Sequence, residues 1–179
     1  MRPLRGGGSV GSVTSKRPAL DEPEPFADDR ELLLGWLAFH RDALARSCAD
    51  LAPERLVEQS VPPSDLSLLG LVRHLSEMEH WYLENALGPA AVDPLYCTDD
   101  DPDGDILGLD PSMVEPSMAR WREQQATVDA LLARHSLEDL TRSRSRTVRW
   151  CVVKVVEEYA RHNGHADLLR ERIDGTVGE

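Results

Sequence analysis

The chain has few cysteines. Cys48, Cys97 and Cys151 are odd in number and show no C-x-x-C spacing. That excludes a disulfide framework and argues against a zinc site built on thiolates, so the three are expected to be reduced and structural. Positive charge is also scarce: 20 Lys and Arg stand against 32 Asp and Glu, a formal net charge of -12. A field of that sign repels phosphate backbones and anionic lipid, so neither nucleic acid nor a membrane is an expected partner. No apolar run is long enough for a membrane span, and the opening MRPLRGGGSVGSVTSKRPAL lacks the apolar region of a secretory signal. A cytoplasmic protein is expected. No internal repeat and no strand-like alternation is visible.

What remains is a chain of 179 residues, 41% hydrophobic, long enough for one domain with a real core. Residues 1–27 are rich in Gly, Ser, Pro and charge, with too little apolar surface to offset the entropy of ordering. They are expected to be a mobile tail ahead of a domain over 28–179.

Four amphipathic segments follow. The first starts at the acidic cap Asp28 and carries Leu33, Trp36, Leu37, His40 and Leu44 at helical spacing. Pro62-Pro63 closes the link after it, and Ser64 or Ser67 caps a second helix whose stripe reads Leu68, Leu71, Leu75, Met78 and Tyr82, ending at Gly88-Pro89. About twenty residues rich in proline, glycine and aspartate form a long connection. A third helix begins between Ser112 and Ser117, with Met118, Trp121, Gln125, Val128, Leu132 and His135 on one side. A fourth runs from about Thr147 to Ile173 and stops at Asp174-Gly175. Four such helices predict an all-α fold, an up-down-up-down four-helix bundle with a ligand site where helices face each other. Trp36, Trp81, Trp121 and Trp150, one per helix, are expected to serve the core.

The fourth helix holds unusual chemistry in EEYARHNGHADLLRE. On a wheel of about 100° per residue, Val155, Tyr159, Ala166, Leu169 and Ile173 fall within roughly 60° of His162, so that histidine points at the core. Glu158 lies about 40° and His165 about 60° to the same side of it, while Glu157 and Glu171 land on the solvated far face. A carboxylate and an imidazole at i and i+4 reach one cation together. The competing reading is a buried ion pair or a hydrogen-bonded core histidine. His74 on the second helix, beside Leu71, Leu75 and Met78, makes a third donor available. A His/Glu/His set leaves coordination positions open, as catalytic zinc sites do, and also suits nickel, iron or manganese. Gly164 implies either a close approach of a backbone or ligand, or tight helix packing.

These stretches, PPSDLSLLGLVRHLSEMEHWYLENALG, DDDPDGD and RWCVVKVVEEYARHNGHADLLRERIDGTVGE, resemble the DinB/YfiT-like superfamily of metal-binding four-helix bundles, in its mainly actinobacterial branch. The resemblance covers nearly everything after the tail. It implies metal ligands at His74, Glu158 and His162, with Gly164 matching a glycine of the pattern. His165 stands where many relatives have glutamine, and is either a hydrogen-bonding partner of the ligands, a proton carrier or an alternative ligand in place of Glu158. Relatives include mycothiol-dependent maleylpyruvate isomerase and S-transferases using mycothiol or bacillithiol. The resemblance therefore implies a divalent-metal-dependent transferase or isomerase that activates a low-molecular-weight thiol toward an electrophilic substrate, as monomer or homodimer. A metal-dependent hydrolase and a non-catalytic metal-stabilised binding or stress-response module are the alternatives.

Asp99, Asp101, Asp103, Gly104, Ile106 and Asp110 fall at positions one, three, five, six, eight and twelve of a calcium-loop pattern. Pro94 and Pro111 stand where its flanking helices should be, so a solvated acidic loop is the expected form. His40 is expected to be packed or hydrogen-bonded, His80 and His135 to lie at the surface or rim, and Arg73 and Arg161 to make surface salt bridges, the alternative being that they hold an anionic substrate.

Overall fold

A computed structural model describes residues 20–178, and the first nineteen residues of the expected tail lie outside these. Helix α1 spans Asp29–Cys48 and starts where the Asp28 carboxylate accepts the N–H groups of Arg30 and Glu31. A short helix α2, Pro53–Leu56, was not legible in the sequence. α3 spans Leu68–Glu79 behind the Ser67 cap, a π-helical turn follows at His80–Glu84, and α4 is Asn85–Leu87. A 3-10 turn at Pro111–Met113 leads into α5, Val114–Leu132, and α6 spans Val148–Asp174 between the Thr147 cap and Gly175. The fold is all-α: apart from one isolated bridge between Leu140 and Thr147, no strand pairing occurs among the described residues. None of the helices is long and apolar enough to cross a membrane.

α1 packs along α6, and α3 packs against both α5 and α6. The core between them is made of Leu37, Leu44, Leu71, Leu75, Val128, Val155 and Leu169, all essentially without exposure. One polar network crosses it. Arg41 of α1 clamps the fully buried Glu79 of α3 with Nε–Oε1 at 2.8 Å and Nη2–Oε2 at 2.6 Å. Tyr159 of α6 donates to the same Oε1 at 2.7 Å, and the indole N–H of Trp121 on α5 donates to the Tyr159 hydroxyl at 2.8 Å. Burial, and then the Glu79 charge, push the Tyr159 phenol well above its usual range, so it stays a neutral donor.

The link between α1 and α3 closes over the far half of α6. Arg55 donates to the Ile173 carbonyl at 2.5 Å and Ser60 to the Leu169 carbonyl at 3.1 Å.

Several expectations need correction. The buried stripe of the second helical segment runs Leu71, Leu75, Glu79, Leu83 and Leu87, and Met78 and Tyr82 flank it. The π-helical turn takes one residue more per turn than an α-helix and so rotates the face after His80. Trp81 and Trp150 are 49% and 44% exposed, and of the four tryptophans only Trp121 is fully in the core. Trp150 and Tyr82 instead sit together beneath the Arg146 guanidinium. On α5, Gln124 is buried while Gln125 is only half-buried, because Gln124 donates to Glu84 Oε2. His80 is buried rather than superficial: its two ring nitrogens are taken by Glu84 Oε2 and the Asp93 carbonyl, both at 2.8 Å. Beyond its own stretch of helix, Gly164 has no atom of the described residues within 4 Å of where a Cβ would stand, so neither tight packing nor the close approach of another segment is seen there.

Candidate metal centre

His74 leaves the middle of α3 and points across to α6, where Glu158 and His162 lie one turn apart. One donor atom from each of the three lies within 4.8 Å of the others, and the three are the only such histidine, cysteine or carboxylate group among the described residues. His162 Nε2 stands 3.6 Å from Glu158 Oε2. A tetrahedral ion with bonds of about 2.1 Å separates its ligands by about 3.4 Å, so this pair already has a suitable spacing. The His74 and His162 ring centroids are 4.7 Å apart. All three side chains are largely sequestered, with 19%, 11% and 13% exposure for His74, Glu158 and His162.

The surroundings of each donor decide its protonation. His74 Nδ1 lies 2.8 Å from Oδ2 of Asp105, itself only 6% exposed. Burial pushes the Asp105 carboxyl up, but the hydrogen bond and charge of His74 outweigh it and hold the group below the usual carboxylate range. An ionised Asp105 accepts, so Nδ1 carries the proton and the lone pair of Nε2 is free to bind. Burial, and then the neighbouring His74 and His165, push the His162 pKa down to about 4. At neutral pH that ring is uncharged, as a metal ligand must be. Its Nδ1 faces His165 Nδ1 at 3.3 Å, leaving Nε2 toward Glu158. The donor set therefore fits one divalent ion.

Glu158 has a second partner. Its Oε1 accepts from Lys154 Nζ, which also reaches Glu157 Oε2 at 2.6 Å. The ion-pair reading of Glu158 thus accounts for one of its oxygens, and the other is directed at His162.

Asp105 was missed by sequence reasoning. It lies 31 residues from His74 in the acidic connection, which is held to α3 at Gly104, whose carbonyl accepts from Arg73, and further back by Glu77. That carboxylate, 5% exposed, accepts the backbone N–H groups of Leu95 at 3.1 Å, Tyr96 at 2.7 Å and Cys97 at 3.4 Å. The connection is thereby tied to α3 one turn beyond His74. Cys97 also contacts Asp105, and burial and then that carboxylate raise its thiol to about 11. All three cysteines are free thiols. The calcium-loop pattern does not assemble: no helix leads into residue 99, and Asp110 Oδ1 caps the 3-10 turn by accepting the Ser112 N–H at 2.8 Å.

The remaining candidates separate cleanly. His40 lies against Asn163, whose amide donates to the His40 carbonyl at 3.0 Å, as a packed, hydrogen-bonded residue should. His135 is half-buried at the end of α5, with its ring on the Leu131 carbonyl. Arg161 pairs with Glu157 on the surface, as expected, but Arg73 makes no salt bridge among the described residues and is drawn inward to Ser117 and Gly104. A small cavity of about 180 Å³ opens beside His165, walled by Val61, Leu66, Leu168 and Leu169 with Ser64 as its other polar residue.

Searches of curated proteins and of solved structures return no match. A family model described as mycothiol-S-transferase matches residues 32–175, from the first turn of α1 to the glycine that ends α6. With four-fifths of its length inside that match, the chain belongs to the mycothiol-S-transferase family.

Proposed function

We propose that the protein is a divalent-metal-dependent transferase that joins a low-molecular-weight thiol such as mycothiol to an electrophilic carbon. The observation that carries this reading is the convergence of His74, Glu158 and His162 from two helices on one point, in a chain of the mycothiol-S-transferase family. Those three residues would hold the ion, zinc being the preferred one, with nickel, iron or manganese compatible with the same donors. When bound, such an ion lowers the pKa of a coordinated thiol.

The chain's own residues do the rest. Asp105 keeps the His74 proton on Nδ1 and fixes the ring plane. His165, next to His162 and beside the apolar cavity, accepts the His162 Nδ1 proton at its own Nδ1 and so holds that ring in place, and the S–H proton passes to solvent before the electrophile enters. The sulfur electron pair then forms the new S–C bond, and the leaving group departs with the electrons of the bond that breaks. The apolar walls around His165 take the hydrocarbon part of the electrophile and exclude water. We further infer that α1, the α3–α4 segment, α5 and α6 form the up-down-up-down bundle of the superfamily, and that 28–179 is one domain.

Elemental analysis of the purified protein tests the centre. One equivalent of metal is expected, with less than a tenth retained by His74→Ala and His162→Ala, and full retention by both variants refutes it. The thiol assignment is tested by thermal unfolding: mycothiol should raise Tm only in metal-loaded protein, since a ligand of the native state stabilises by mass action. Turnover of an ester with no response to mycothiol would make it a hydrolase. Tight metal with no turnover of either would make it a binding module.

A further inference from the structure

Arg73 precedes His74 on α3, and adjacent helical side chains diverge by about 100°. Arg73 therefore faces a different space from the metal centre. That space is an open cleft of about 740 Å³ between the 93–96 segment and the start of α5, lined among others by Arg73, Tyr96, Ser117 and Arg120. Small-molecule sites measure about 300–1,000 Å³.

The Arg73 guanidinium is held firmly. Its carbon lies 3.8 Å from the centroid of the Tyr96 ring, Nη2 donates to the Gly104 carbonyl at 2.7 Å, and Nη1 to Ser117 Oγ at 3.2 Å. None of these partners is anionic. Glu77, one turn along α3, is occupied by three backbone N–H groups, and Arg73 Nε is buried with no hydrogen-bond partner among the described residues. Arg120, with a side chain 45% exposed, has a 3.7 Å contact with Glu123.

The contrast with the two buried arginines is informative. Arg41 and Arg170 each place a nitrogen on a carboxylate at hydrogen-bond distance. In a chain of net charge -12, two arginines flanking one cleft without such a partner mark a local site for an anion. With Nη1 and Nη2 each already donating once and the plane fixed against Tyr96, the second hydrogens of the two Nη atoms are what Arg73 offers the two oxygens of a carboxylate. Asp93 on the cleft wall is exposed, and it disfavours a doubly charged phosphate more than a singly charged carboxylate.

We propose that this cleft binds a small-molecule carboxylate between Arg73 and Arg120. The site stands independently of the metal and thiol assignments.

Calorimetric titration with butyrate, a singly charged carboxylate, tests it, at constant ionic strength, on the full chain with zinc and after chelation, with phosphate titrated in parallel. Butyrate should bind one per chain in both forms and more tightly than phosphate. Arg120→Gln, which alters only an exposed side chain, should weaken butyrate binding tenfold or more with Tm unchanged, and Arg73→Lys should do the same because it keeps the charge and loses the fork. The proposal is overturned by absence of butyrate binding to the parent, by undiminished affinity in Arg120→Gln, by preference for phosphate, or by binding that requires zinc, which would put the anion at the metal centre.

Discussion

The histidine at position 74 depends on a carboxylate that no sequence spacing announces. Asp105 sits 2.8 Å from His74 Nδ1 and is nearly fully buried, and partners of this kind fix the orientation and basicity of a ligating imidazole. Replacing it with the isosteric amide removes the charge while keeping the shape. Asp105→Asn should weaken zinc binding by about 10- to 100-fold in a competition titration, with the fold retained. Unchanged affinity would show that His74 needs no such support. The three donors themselves were legible because two lie at i and i+4 and the third lies beside an apolar stripe. Asp105 was not, since it reaches the site on a connection tied back to α3 through three backbone N–H groups at Glu77 and the Gly104 carbonyl at Arg73. The burial of His80 was missed for a similar reason: its partner Asp93 lies in a connection with no periodicity.

Helix ends were legible and helix faces less so. Asp28, Ser67 and Thr147 each cap the helix they precede, and Gly175 takes φ 81 at the end of α6, as local rules require. Two glycines of one helix should then answer an alanine substitution in opposite senses. Gly175→Ala places a side chain in the left-handed region and should cost about 1 kcal/mol. Gly164→Ala, helical and with open space around the new methyl, should stabilise by up to about 1 kcal/mol. Urea unfolding of the two variants measures both, and a destabilised Gly164→Ala would mean that something approaches that position after all. The faces were misjudged where the π-helical turn at His80–Glu84 shifts the register, bringing Leu83 inward and leaving Trp81 in solvent.

Across the whole molecule, one buried network joins the four long helical segments: Arg41, Glu79, Tyr159 and Trp121 each come from a different one. Removing one member leaves the others desolvated without a partner. Breaking a buried ion pair in this way costs about 3–5 kcal/mol, so Glu79→Ala should lower stability by that amount in chemical unfolding. Glu79 is not among the proposed ligands, so the folded fraction should still bind one metal per chain. Loss of metal without loss of stability would instead tie Glu79 to the centre.

Composition, helical periodicity and capping residues determined by themselves that this chain is all-α, where its long helices begin, and that Glu158 and His162 on one helix and His74 on another lie on or beside inward faces. Those are local properties, set within a turn or two of chain. The tertiary structure alone decided that Asp105 orients His74, that Arg73 turns into a cleft beside Arg120, and that Glu79 binds the helices together. Each of those contacts joins residues more than thirty positions apart or depends on how the long connection is folded back, and only the closing of the chain over its core brings such residues together.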